Sequence, residues 1–455
     1  MNFTSFARRG TLLLLALLAS GCATRITPPT DDCARWFAQL DAAVDAAAVR
    51  DAQDERIDGF AGFRVDRFGE ATRSSVDAAA WLARAAALDQ QGRSVEIANL
   101  PRAVFPIADA ADGGAARARS DACRDRRLTQ LQSDAGARQA LLARATVPDR
   151  YATPLRALGL YPLARLPFFA GVNAWQTRHE QAMARWATTP PPLQRFVPPR
   201  GSDAPLFEIE ARGGALAPFD RFGVPAWRGD SDVPDVDTTQ PIVFERDAQT
   251  RYLGQVLKQR VFTLWFPERP VTSAFDLLGG ALDGVIVRLT YAPDGSPLML
   301  DTIHACGCYH LFFPADTVRL RDGAPTNEEW AFVPARLPRL NPGERLVVRI
   351  ASATHYVSGV AADAHDGGAH YTLRDEQTLR TLPRPGGGTR SLYAADGLVR
   401  GTERAERFVF WPMGIASAGA MRQWGHHATA FVGRRHFDDP NLLDKRFVLP
   451  ERPPP

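Results

Sequence analysis

Between Asp301 and His310 the chain reads Asp-Thr-Ile-His-Ala-Cys-Gly-Cys-Tyr-His, a dense run of side chains that ligate metals or attack carbonyls. Strand side chains alternate faces with a period of two. His304, Cys306, Cys308 and His310 are all even-numbered, so a regular strand would set them on one face. Two imidazoles and two thiols in a row serve no packing purpose. They are donors that a soft-to-borderline ion such as zinc or copper prefers. Residues two apart on a strand lie about 6.6 Å apart at Cα, so neighbours can converge on one ion, whereas His304 and His310 cannot. A bulge at Gly307 would bend the row, or ligands would come from elsewhere. Eight of the nine histidines lie between His304 and His436. His426-His427 pairs two imidazoles, and His436 stands two residues before the Asp438-Asp439 carboxylates.

Three other chemistries fit the same run. Cys306 and Cys308 would close a small-ring disulfide around Gly307, leaving the histidines as satisfied core residues. They would also make a dithiol that exchanges disulfides, although the usual two-residue spacing is absent. Cys308 as a nucleophile would take His310 or His304 as base and Asp301 as its orienter. Glu268 and Arg269 end a neighbouring apolar stretch, where a local ion pair or turn is the simpler reading. The small-residue run Met413–Met421 lacks the spacing of a phosphate loop. The Gly-x-Ser-x-Gly elbow, the His-Glu-x-x-His helix and zinc-finger pairs are all absent.

The elements that must position this run are strands. Gly284–Tyr291 puts Val285, Val287, Leu289 and Tyr291 on one face, and Ile286, Arg288 and Thr290 on the other. Pro293-Asp294-Gly295 is a turn, since proline presets φ and glycine accepts φ > 0. Pro297–Phe313 returns as the partner strand of a hairpin. Further strands are predicted at Arg260–Phe266, Arg345–Ala351, Tyr371–Leu379 and Arg407–Trp411. Residues 205–455 therefore read as a mainly antiparallel β domain, a sandwich or open barrel. Residues 33–187 read as helical, from apolar residues at three- and four-residue spacing in Cys33–Ala52 and Ser75–Gln91. Ser75 is the predicted N-cap of the second, with Ala78, Trp81, Leu82, Ala85 and Leu88 as its buried stripe. A third helix, Leu163–Ala187, opens on Leu166-Pro167-Phe168-Phe169 and ends polar. It fits a membrane surface, but burial is the primary expectation. The proline-rich stretch 188–204 reads as a stiff spacer between the halves. The predicted class is α+β.

About 430 residues beyond the leader are too many for a single core. The net charge of +3 falls to +1 once Arg8 and Arg9 are removed, which leaves no electrostatic footprint for nucleic acid. Of five cysteines, Cys33 and Cys123 fall in the same helical region and are the expected disulfide.

Arg8-Arg9, the short apolar run Leu12–Leu18, and Ala19-Ser20-Gly21 before Cys22 describe a secretory leader, residues 1–21. The run is too short to span a bilayer. Its end resembles the bacterial lipobox. That resemblance implies cleavage after Gly21, acylation of Cys22 and a tether over residues 22–32. It also implies a lipid-anchored envelope protein whose partner is the membrane. Ala23, where an aspartate would retain the protein at the inner membrane, points to the outer membrane.

Overall fold

The computed structural model describes residues 31–229 and 231–449; the leader and Cys22 lie outside the described residues. The chain is α+β. It opens with α1 (Asp32–Ala46), α2 (Ala78–Asn99), α3 (Gly113–Ser133), α4 (Ala135–Arg144) and α5 (Tyr161–Thr188). Asp77, not Ser75, caps α2 by accepting from the Ala80 N–H, and Ser75 falls in the preceding turn. Trp81, Leu82 and Ala85 form the buried stripe. A Cys33–Cys123 disulfide ties α1 to α3, the expected pairing.

Charged side chains are also buried among these helices. Arg64 Nη2 donates to Glu96 Oε1 at 2.8 Å, and Arg124 Nη2 to Asp89 Oδ2 at 3.1 Å. Asp51 belongs to the same cluster, and its partner comes from the far end of the chain: Arg380 Nη2 reaches Asp51 Oδ2 at 2.6 Å.

Eleven strands build the two large sheets of the second half. They are β1 (Leu193–Val197), β2 (Leu206–Glu210), β3 (Ile242–Tyr252), β4 (Gln255–Arg269), β5 (Gly280–Tyr291), β6 (Pro297–His304), β7 (Leu311–Pro314), β8 (Arg345–Ile350), β9 (Val357–Asp363), β10 (Ala369–His370) and β11 (Thr372–Asp375). One sheet runs β7-β6-β5-β4-β3-β11 and the other β9-β8-β2-β1-β10. Most pairs are antiparallel; β3/β11, β2/β8 and β1/β10 are parallel.

The sheets pack face to face as a sandwich. Val285, Val287, Leu289 and Leu300 of the first sheet share a core with Phe207, Ile209, Val348 and Ile350 of the second. The outer face of the six-stranded sheet is covered too: Phe244, Trp265, Ile286 and Ile303 pack on Leu379, Leu392, Met421 and Phe437. Arg288, predicted on the face opposite Val285, is therefore buried.

Three expectations are corrected. The spacer 188–204 contains β1, so it is built into a sheet rather than bridging a gap. Residues 407–411 form a short helix, Arg407–Phe410, running into a 3-10 turn; Pro412, without an N–H, cannot extend a strand ladder. In α5 only His179 and Met183 are buried, and Leu163 and Leu166 are 66% and 59% exposed. These two leucines of its apolar beginning face outward, whereas Phe168 packs inward on Phe410. Among the described residues no helix is long and apolar enough to cross a membrane.

Candidate functional site

The strand carrying the Cys/His run does not continue to Phe313. It stops at His304, and Ala305–His310 turns the chain back into β7. Gly307 N donates to the His304 carbonyl at 2.7 Å and His304 N to the Cys308 carbonyl at 3.0 Å. Gly307 has φ +94°, and a Cβ there would sit 2.6 Å from the Ala428 carbonyl oxygen. Glycine is required both for the turn and for this close approach. The expected single face of four ligands is thereby broken up.

His304 faces the sandwich interior, in register with Val285. Its Nδ1 lies 3.6 Å from Asp283 Oδ1. Asp283 Oδ2 also lies 2.7 Å from His355 Nδ1, and His355 Nε2 lies 3.4 Å from Asp220. Burial would raise the Asp283 carboxyl, but His304 and His355 hold it well below the usual range. Burial lowers His304. Tyr309 and Tyr356 pack against the His304 ring, and Arg269 donates to the Tyr356 hydroxyl at 3.2 Å. Nε2 of His304 is buried without a hydrogen-bond partner.

His310 belongs to a different grouping. Asp301 pairs across the hairpin with Arg288. Arg288 Nε and Nη2 donate to the two carboxylate oxygens at 2.9 and 2.6 Å. Asp301 Oδ2 then lies 2.8 Å from His310 Nε2, and His310 Nδ1 lies 3.1 Å from Thr429 Oγ1. Burial would raise Asp301, but Arg288 and His310 keep it below the usual range. Burial pushes His310 down to about 3, so the ring is neutral. The ionised Asp301 can only accept, which places the ring proton on Nε2 and leaves Nδ1 to accept from the Thr429 hydroxyl. Arg435 Nε donates to the same Thr429 oxygen at 3.0 Å. Asp301 as orienter, with His310 or His304 as base, was one of the chemistries left open for this run; the group presented to His310 is Thr429 rather than Cys308.

Cys306 and Cys308 are both buried, free thiols, and the Cys308 N–H donates to Cys306 Sγ at 3.4 Å. The hydrogen bond with Cys306, then burial, holds the Cys308 thiol well above its ordinary value. His426 Nε2 meets the Ala52 carbonyl at 2.7 Å, His427 Nε2 the Ala305 carbonyl at 3.2 Å, and His436 Nε2 Asp149 at 3.1 Å. Among the described residues no three His, Cys, Asp or Glu side chains are grouped as ligands to one ion. The candidate zinc or copper donors His304, Cys306, Cys308, His310, His426, His427 and His436 are thus distributed over separate contacts.

The Cys308–His310 turn forms the floor of a pocket of about 290 Å³. Pro167, Phe168, Val172 and Trp175 of α5 roof it, and Phe410, Ile415 and Phe431 wall it. Glu329, Glu406, Thr429 and Arg435 join the polar floor. Burial pushes Glu406 up to about 7. An apolar wall over a few convergent polar groups is the usual build of a small-molecule site. Thr429, Arg435 and Glu406 carried no signal in the sequence. Arg288 did, through its predicted face on the hairpin.

Fold and site together define an α+β sandwich protein with a helix-roofed apolar pocket. No known family, curated protein or solved structure matches the chain.

Proposed function

We propose that this is a lipid-anchored protein of the bacterial envelope that rests an apolar rim on the bilayer and admits a lipid to the pocket under α5. The carrying observation is the set of large apolar side chains left exposed on segments that also contribute residues to the pocket. Leu163 and Leu166 stand on the roof helix, Phe408 is 69% exposed, and Phe275 is 91% exposed. The segments that carry them touch at two points. Phe168 packs on Phe410 with ring centres 4.9 Å apart, and Glu406 N donates to the Leu277 carbonyl at 3.1 Å. Contiguous exposed apolar patches are uncommon on soluble monomers and mark interaction surfaces.

The lipobox resemblance supplies the partner. Acyl chains on Cys22 would hold the fold within about 33 Å of the bilayer, the reach of the tether. One chain alone binds marginally, so a second membrane contact adds to the anchor. In this reading the lipid's polar end sits on the Thr429, Arg435 and Glu406 floor, and its acyl chain lies along the aromatic wall.

The test compares three chains. Labelled palmitate should be incorporated by the wild type and lost in Cys22→Ala. The Cys22→Ala chain, exported behind an ordinary cleavable leader, should still sediment with phosphatidylethanolamine/phosphatidylglycerol vesicles. Adding Leu163→Ser, Leu166→Ser and Phe408→Ser should reduce that binding several-fold with little loss of stability, since all three side chains are exposed. Label retained in Cys22→Ala, or vesicle binding indifferent to the three serines, would overturn the reading.

A further inference from the structure

The floor of the pocket presents a hydroxyl, a base and a carboxylate in series. Thr429 Oγ1, His310 Nδ1, His310 Nε2 and Asp301 Oδ2 are joined by contacts of 3.1 and 2.8 Å on either side of the ring. Both His310 and Thr429 line the pocket. We propose that Thr429 is the nucleophile of an ester-cleaving site, with His310 as its general base and Asp301 as the residue that orients His310. The proposal rests on the reading that the pocket admits an acyl lipid, and it names the substrate class as a carboxylic ester of an apolar acyl chain.

Each part has a structural reason. Arg288 grips Asp301 through two nitrogens and packs over Phe437, with its guanidinium carbon 3.8 Å from the ring centre. The carboxylate therefore cannot turn away from His310. The His310 ring is stacked on Phe312, with centres 4.1 Å apart, which fixes its plane. Arg435 Nε, at 3.0 Å from Thr429 Oγ1, places a cation beside the oxygen that gains charge as it loses its proton. Cys308 shares the pocket, but Cys306 and burial keep it a thiol, and both ring nitrogens of His310 are already engaged with other residues. The second buried Asp/His series ends at the unpartnered His304 Nε2, and Asp220, Asp283, His304 and His355 are not among the residues lining this pocket.

The reaction balances with water as the only co-reactant. Thr429 Oγ adds to the ester carbonyl carbon while its proton passes to His310 Nδ1. The bond to the alcohol oxygen breaks, and that oxygen takes the proton from His310, leaving the acyl group on Thr429. Water then adds to the acyl carbon, giving a proton to His310 Nδ1. The bond to Oγ breaks, Thr429 recovers its proton, and a carboxylic acid departs.

The experiment uses the full-length chain with p-nitrophenyl octanoate as substrate and a fluorescent fatty acid as binding probe. The wild type should release p-nitrophenol, and an acid quench should trap an octanoyl group on the peptide containing Thr429. Thr429→Val should still bind the probe, weakened at most about tenfold by the lost hydroxyl, yet lose at least about 100-fold in turnover. Thr429→Ser, which restores the hydroxyl, should recover turnover even if the valine variant folds poorly. Probe binding by the wild type without turnover, equal turnover in Thr429→Val, or octanoyl found on Cys308 would each overturn the inference and leave the pocket reading standing. Absence of probe binding by the wild type would remove both.

Discussion

Glu406 is a carboxyl group on the polar floor of a mostly apolar pocket, and burial raises it to about 7 despite Arg269, Arg404 and Arg422 nearby. Below that pH it is neutral and can donate; above it, it adds a negative charge to the pocket. A ligand with a carboxylate head should therefore bind more weakly at pH 8 than at pH 6, while an alcohol of the same chain length should not change. Fluorescence titration of the two ligands decides this, and equal pH dependence would rule Glu406 out. The sign for folding is the same. The folded state keeps a proton that an unfolded glutamate loses near 4.5, so this group's contribution to stability falls as pH rises from about 4.5 to about 7. At this scale the sequence was partly readable. Asp301 and His310 lie on one hairpin nine residues apart, so their pairing follows from local structure. Thr429 stands 119 residues from His310, and only the packing of the C-terminal segment over the sheet brings it there.

Among elements, the turn between β6 and β7 sets the floor of the pocket. Gly307→Ala would force a side chain into the left-handed region, which costs about 1–3 kcal/mol, and would drive its Cβ against the Ala428 carbonyl. Ala428 precedes Thr429, so the displacement passes straight into the relay. Denaturant unfolding should show a loss of at least that size, together with weaker probe binding; an unchanged midpoint would mean that the turn yields freely. The hairpin itself was legible from alternation and from Pro293-Asp294-Gly295. Its early end was not, because Cys, Gly, Tyr and His tolerate strand and turn alike, and periodicity carries no information about tertiary contact. The outward face of α5 escaped for a related reason. An apolar segment reads the same whether it meets a core or a membrane.

For the whole molecule, the α+β division and the Cys33–Cys123 bond were visible from composition and spacing, whereas β1 was concealed by the prolines around it. The bond closes a loop of 90 residues in sequence separation, so Cys33→Ala/Cys123→Ala should cost about 2–5 kcal/mol. Thermal melts of the double variant and of the reduced wild type should agree; a variant as stable as the oxidised protein would contradict this. The pairing of Asp51 with Arg380, 329 residues later, bears on the order of events during synthesis. A chain made from its N-terminus delivers Asp51 long before Arg380, and until then the nearest cation to its carboxylate is Arg64, at 3.7 Å, although removing one partner of a buried ion pair is strongly destabilising. The charged cluster of the helical half is therefore completed only when most of the chain has been made. Until then Asp51 lacks its closest cation, and chains truncated before residue 380 should be cut faster by protease than the full chain; equal resistance would show that Arg64 alone suffices.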